Sequence, residues 1–136
     1  MSPDDAIRAY CAAFDDRDVE TIAILFAANG LYEMPFLKPG RLVGVAEIRA
    51  GLTRAFEVVA RGTTSVQQIK TLGAQAIAEG VLTADIPRDG ASITVPFAMV
   101  AESGDDGLAR LTVYCDAKPY RLWSDGPVMA LARGAS

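Results

Sequence analysis

Histidine is absent from the chain. Without an imidazole there is no Ser-His-Asp or Cys-His catalysis, no histidine proton shuttle, and almost none of the common zinc sites. Cysteine is scarce as well: Cys11 and Cys115 stand at opposite ends of the sequence with no paired spacing. They form no disulfide framework and read as two reduced, buried thiols of a cytoplasmic protein. Long apolar runs are also missing. The densest, Ile22 to Ala28, falls far short of the ~18 residues that a membrane span needs. Met1-Ser2-Pro3-Asp4-Asp5 has no basic patch leading into an apolar stretch, so no signal peptide is expected. Nor is there surplus positive charge. Thirteen Lys+Arg against 17 Asp+Glu leave −4, the wrong sign for a partner such as nucleic acid or an anionic membrane.

What the chain does have is apolar content. Its 136 residues are 51% hydrophobic, enough for one domain over residues 1–136 that buries roughly two-thirds of its open-chain surface. Ser2 is suited to cap a helix, with Pro3 at its first position and Asp5 where a capping box wants an acid. Ile7, Tyr10, Cys11 and Phe14 then form one helical stripe. Asp15-Asp16-Arg17-Asp18 breaks it, as a solvated turn whose spacing matches no calcium loop. Asp18 caps a second helix with Ile22, Leu25 and Phe26 inward, and Asn29-Gly30 is read as its stop. A strand from Leu31 to Phe36 should then carry Tyr32, Met34 and Phe36 on one face.

Lys38-Pro39-Gly40 signals a turn. From Val45 to Val59, the residues Ile48, Leu52, Ala55, Phe56 and Val59 give the clearest helical period, closed by Arg61-Gly62. Everything after that reads as strand: Thr64–Leu72, Gln75–Ile86, Ala91–Glu102 and Leu108–Ala117. Turns fall at Pro87-Arg88-Asp89-Gly90 and Ser103–Gly107. Beyond Lys118 the tail is irregular, with Leu122 and Trp123 expected to fold back. Segregated helices and strands mean an α+β protein. Its expected form is a curved antiparallel sheet wrapped around the long helix, with two N-terminal helices.

This order, with its particular residues, resembles the cone-shaped, cystatin-like barrel of the nuclear transport factor 2-like superfamily. Within it the chain is most similar to the ketosteroid isomerases and the SnoaL-like polyketide cyclases. The stretch that carries the likeness runs from Ile7-Arg8-Ala9-Tyr10 through Asp18-Val19-Glu20-Thr21-Ile22 to Leu31-Tyr32-Glu33-Met34-Pro35. Gly44-Val45-Ala46-Glu47-Ile48-Arg49 and Tyr114-Cys115-Asp116 add to it. The resemblance implies a walled pocket inside the cone and a homodimer through the sheet face. In ketosteroid isomerases an aspartate moves the proton, while a tyrosine and a neutral aspartic acid hydrogen-bond the oxyanion. Carried over, the tyrosine is Tyr10. The base position falls on Met34, and the second donor falls near Phe97 or its neighbour Pro96. None of those three side chains can take over the lost role. The family's supporting tyrosines fall on Phe26 and Leu52, so the hydroxyl network is expected to be missing.

The expectation is therefore a cofactor-free protein that binds a small hydrophobic molecule. Tyr10 is the polar contact, and Phe14, Met34, Phe36, Phe56, Leu82, Phe97, Val113 and Cys115 line the pocket, with Ile86 and Val95 also facing inward. A filled core with no pocket is the bland alternative. An isomerase, cyclase or hydrolase is the enzymatic one, with Asp85 or Glu33 turned inward as base opposite Tyr10. Strand alternation places Glu33, Asp85 and Asp116 on the outer face, where only a β-bulge would reverse them. Cys115, with no histidine or nearby lysine to activate it, reads as a buried, inert thiol. A third reading is a module that binds another protein through its sheet face.

Overall fold

The computed structural model describes residues 1–36, 40–58, 61–85 and 92–116, the side chains of Val58 and Asp85 excepted. Helix α1 (Pro3–Asp15) starts as its sequence dictates, with the Asp5 N–H donated to Ser2 Oγ at 3.4 Å. It buries Ile7, Tyr10 and Cys11. Asp18 caps α2 (Val19–Ile24): its carboxylate accepts the Thr21 N–H at 3.1 Å and the Thr21 hydroxyl at 2.6 Å. Arg17, between the helices, takes a left-handed φ of 57°. Its guanidinium donates to the Phe56 carbonyl and lies over the Phe56 ring.

The second helix ends earlier than its apolar pattern suggests. Strand β1 (Phe26–Glu33) begins at Phe26, so Asn29-Gly30 lies in a strand rather than in a helix cap. Pairing overrides local preference here. Between Phe26 and Leu31 the register shifts, and Gly30 passes so close to β6 that a Cβ would sit 2.7 Å from the Leu108 carbonyl oxygen. Only glycine fits there. A short β2 (Arg41–Val43), not foreseen from the sequence, pairs antiparallel with β1. Helix α3 (Val45–Val58) follows.

Four long strands complete the fold: β3 (Gly62–Leu72), β4 (Gln75–Asp85), β5 (Ser92–Gly104) and β6 (Gly107–Cys115). They form the expected antiparallel meander in one curved, unclosed sheet ordered β2-β1-β6-β5-β4-β3. The β1–β6 pair is parallel, setting Tyr32 beside Leu111 and Glu33 beside Thr112. Alternation then sorts the faces. Leu82, Val95, Phe97, Met99, Leu111 and Val113 are buried on the inner one. Helix α1 lies against β3, β4 and β5, while α3 packs on α2, β1 and β2. Ile7, Ile22 and Ile48, one from each helix, are wholly inaccessible to solvent, and each contributes about 2 kcal/mol of burial. Val59, Ile86, the turn at residues 87–90, Ala91 and the tail from Ala117 lie outside the described residues.

Among the described residues no helix is long and apolar enough to cross a membrane.

Candidate functional site

Helical spacing on α1 aims Tyr10 at the sheet, and alternation on β1 aims Tyr32 back at α1. Their hydroxyl oxygens lie 2.5 Å apart, with both residues buried. The rings meet edge to face, 5.8 Å between centroids. Phe14 continues the aromatic row, 5.9 Å from Tyr10 and 5.3 Å from Phe56, and Phe26 stacks 5.7 Å from Tyr32. Burial pushes the Tyr32 hydroxyl far above the ordinary phenol range, with a smaller pull downward from its bond to Tyr10. Tyr32 is therefore a neutral O–H at physiological pH.

The sequence reading missed this partner. It placed Tyr32 on the inward face but looked for supporting hydroxyls at Phe26 and Leu52, so it expected no network. Tyr32 supplies one from a position two residues before Met34. The signal was the Tyr32/Met34 alternation itself; what alternation could not show is where α1 crosses the strand.

A narrow cleft of about 30 Å³ opens beside the pair, lined by Tyr10, Phe14, Met34, Thr64, Leu82, Phe97, Met99 and Val113. That is room for about one water. Tyr10, Phe14, Met34, Leu82, Phe97 and Val113 are thus brought together, with Thr64 and Met99 joining them. Thr64 Oγ1 is already engaged, 3.0 and 3.1 Å from the two Asp15 carboxylate oxygens, and the Thr64 N–H donates to Asp15 at 2.9 Å. Asp15 is a clamp between α1 and β3 rather than a loose member of a solvated turn. No carboxylate lines the cleft among the described residues.

Phe36 does not join the cleft. Strand β1 ends at Glu33, Met34-Pro35-Phe36 turns away, and alternation stops applying, so Phe36 stands 61% exposed on the other side of the sheet. There its ring meets Tyr114 at 6.3 Å. Phe56 is half-buried behind Phe14. Cys115 is buried on the inner face beside Phe97, its strand partner. Burial pushes the Cys11 thiol up to about 11.

Glu33 faces outward, as alternation predicts. It accepts the hydroxyl of Thr112 at 3.0 Å and lies 3.6 Å from Arg110, which also donates to Glu102 at 2.9 Å. This network covers Thr112, only 1% exposed although it is on the outer face. Asp116 is exposed. Asp85 closes β4 opposite Ser92, and its side chain lies outside the described residues. Among the described residues, no group of three acidic or cysteine side chains stands where it could hold a metal ion.

The SnoaL-like domain family matches residues 7–124. No curated protein matches the chain in sequence. Solved structures match it in fold. One is a hypothetical protein with a ketosteroid isomerase-like fold from Catenulispora acidiphila, in complex with trimethylamine. It is 19% identical with a TM-score of 0.77, over 94% of this chain and 97% of that one. TerC, co-crystallised with polyporic acid, is 20% identical with a TM-score of 0.76, over 90% and 98%. An NTF2-like protein of unknown function from Burkholderia pseudomallei is 19% identical with a TM-score of 0.76, over 91% and 99%. At these identities the likeness is one of fold.

Proposed function

The chain belongs to the SnoaL-like domain family, and from there we propose that it binds a small, largely apolar compound carrying a carbonyl or hydroxyl oxygen. The ligand oxygen joins the Tyr10–Tyr32 hydroxyl pair, and the apolar body lies among Phe14, Met34, Leu82, Phe97 and Met99. The observation that carries the reading is a 2.5 Å hydroxyl pair whose Tyr10 lines a mostly apolar cleft, where the polar Thr64 is already bonded to Asp15. A lone polar element in greasy surroundings fixes orientation, while the walls supply affinity.

Binding, rather than proton transfer, is what this cleft suits. The base position inferred from the resemblance is Met34, and the second donor position is Phe97; both line the cleft and neither titrates. A ligand must widen the present 30 Å³. Two of the walls are methionines, whose unbranched side chains repack readily. That TerC was co-crystallised with polyporic acid supports an oxygen-bearing ligand for this fold.

Titration with polyporic acid as probe tests the proposal. A rise in Tm that is lost in Tyr10→Phe is expected, since a ligand that binds only the folded chain stabilises it. An equal rise in wild type and in Tyr10→Phe, or none in either, would overturn the proposal.

We further propose a homodimer across the outer sheet face, where Ile77 is 47% exposed beside the half-buried Val100 of the next strand. Light scattering should give twice the chain mass for wild type and the chain mass for Ile77→Glu. A monomeric wild type excludes it.

A further inference from the structure

At the far end of the outer face lies a second hollow, open and apolar. Its volume is about 590 Å³, and it is lined by Phe36, Pro96, Ala98, Tyr114 and Asp116, with Phe97 and Cys115 of the same two strands also bordering it. Phe36 is 61% exposed and Tyr114 37%, and their rings lie edge to face across one wall. Two exposed aromatic rings beside a hollow of this size mark a surface that something covers.

The chain itself supplies the occupant. Asp116, at the rim, is the last residue before 117–136, a stretch outside the described residues. That stretch opens with Ala-Lys-Pro-Tyr-Arg-Leu-Trp, placing Tyr120, Leu122 and Trp123 within four positions. Trp123 is the chain's single tryptophan. It follows Asp116 by seven residues, a tether that spans at most roughly 25 Å. Pro96 and Ala98 stand on the strand next to Tyr114, roughly 5 Å across the sheet. Every wall of the hollow is within reach. The family match also runs past the last described strand, to residue 124, and so takes in Trp123.

We propose that the segment after Asp116 turns back over the end of the outer sheet face and seats the Trp123 side chain in this hollow, against Phe36 and Tyr114. Apolar burial of the indole and aromatic edge contacts hold it there. Phe97 borders both this hollow and the Tyr10 cleft.

A single tryptophan makes the test direct, because fluorescence of the full chain reports on position 123 alone. The folded protein should emit to the blue of its urea-unfolded form and be several-fold less quenchable by acrylamide. Phe36→Ser and Tyr114→Ser should each shift the emission to the red and restore quenching. Phe36 lies outside any strand, so its variant decides the matter even if Tyr114→Ser fails to fold. Ile77→Glu, on the same face but away from the hollow, should leave the signal unchanged. The proposal falls if the folded chain is quenched like the unfolded one, or if Phe36→Ser leaves Trp123 protected. It falls too if Ile77→Glu or dilution exposes Trp123, since a second copy would then be the cover.

Discussion

The hydroxyls of Tyr10 and Tyr32, twenty-two residues apart in sequence, lie 2.5 Å from each other in the buried interior. That contact ties the first helix to the first strand and puts a hydroxyl pair where neither element alone could hold it. A buried hydroxyl bond of this kind contributes about 1 kcal/mol net. Tyr10→Phe and Tyr32→Phe should each lower stability by about that much, and the double variant by less than the sum. A urea-denaturation double-mutant cycle measures the coupling. Strict additivity would mean that the pair is not a unit.

Steroid isomerisation is expected to be absent. By the resemblance to ketosteroid isomerases their base position falls on Met34, and a thioether takes up no proton at any useful pH. The check is absorbance on a β,γ-unsaturated ketosteroid. Turnover that disappears in Tyr10→Phe would show that the site finds a base elsewhere.

Cys11 gives the fold an alkaline weakness. Burial is the main cause of its raised pKa, the charge of Asp15 adds to it, and hydrogen bonding from Thr64 opposes it, with about 11 the outcome against an ordinary 9.0. Between those values the unfolded chain sheds the thiol proton and the folded chain keeps it. The unfolded state then binds fewer protons, so stability falls as pH rises across that window, by about 2 kcal/mol. Below pH 9 the contribution is flat. Urea midpoints at pH 7.5 and 10.5 should show the fall in wild type and a smaller one in Cys11→Ala; equal falls would assign it to other groups.

Gly80 sits on β4 opposite Phe97. A Cβ there would lie 2.3 Å from the Ser65 carbonyl oxygen and 2.7 Å from the Phe97 ring. Gly80→Ala must push the strand or the ring, at a cost of about 2 kcal/mol. The ring can yield only by moving within the space next to the cleft. The variant should be less stable in urea and show a smaller Tm rise with polyporic acid. Unchanged stability would place slack where the structure has none.

Much of this was legible in the residues, for local reasons. Ser2, Pro3 and Asp5 mark the start of α1, and the 3.6-residue period over Val45–Val58 marks α3. Strict alternation of Val95, Phe97 and Met99 fixes both β5 and its inner face. What failed was set by distant neighbours. Ala27-Ala28-Asn29-Gly30 reads as a helix ending, yet pairing with β6 draws it into a strand. Phe36 lies in the turn that follows β1, where alternation no longer applies; Pro35 is the available warning. The Tyr10–Tyr32 bond has no local signature, because it depends on where one element crosses another.

The parallel pairing of β1 with β6 also bears on how the protein is made. The strand that sits between β1 and β5 is the last of the described strands to leave the ribosome. Until it emerges, β1 and β5 have no strand between them, and each shows an unpaired edge. Closing that gap joins segments about eighty residues apart in sequence, a slow step by contact-order reasoning. A chain cut short before Gly107 should accordingly be chaperone-bound or degraded rather than partly folded.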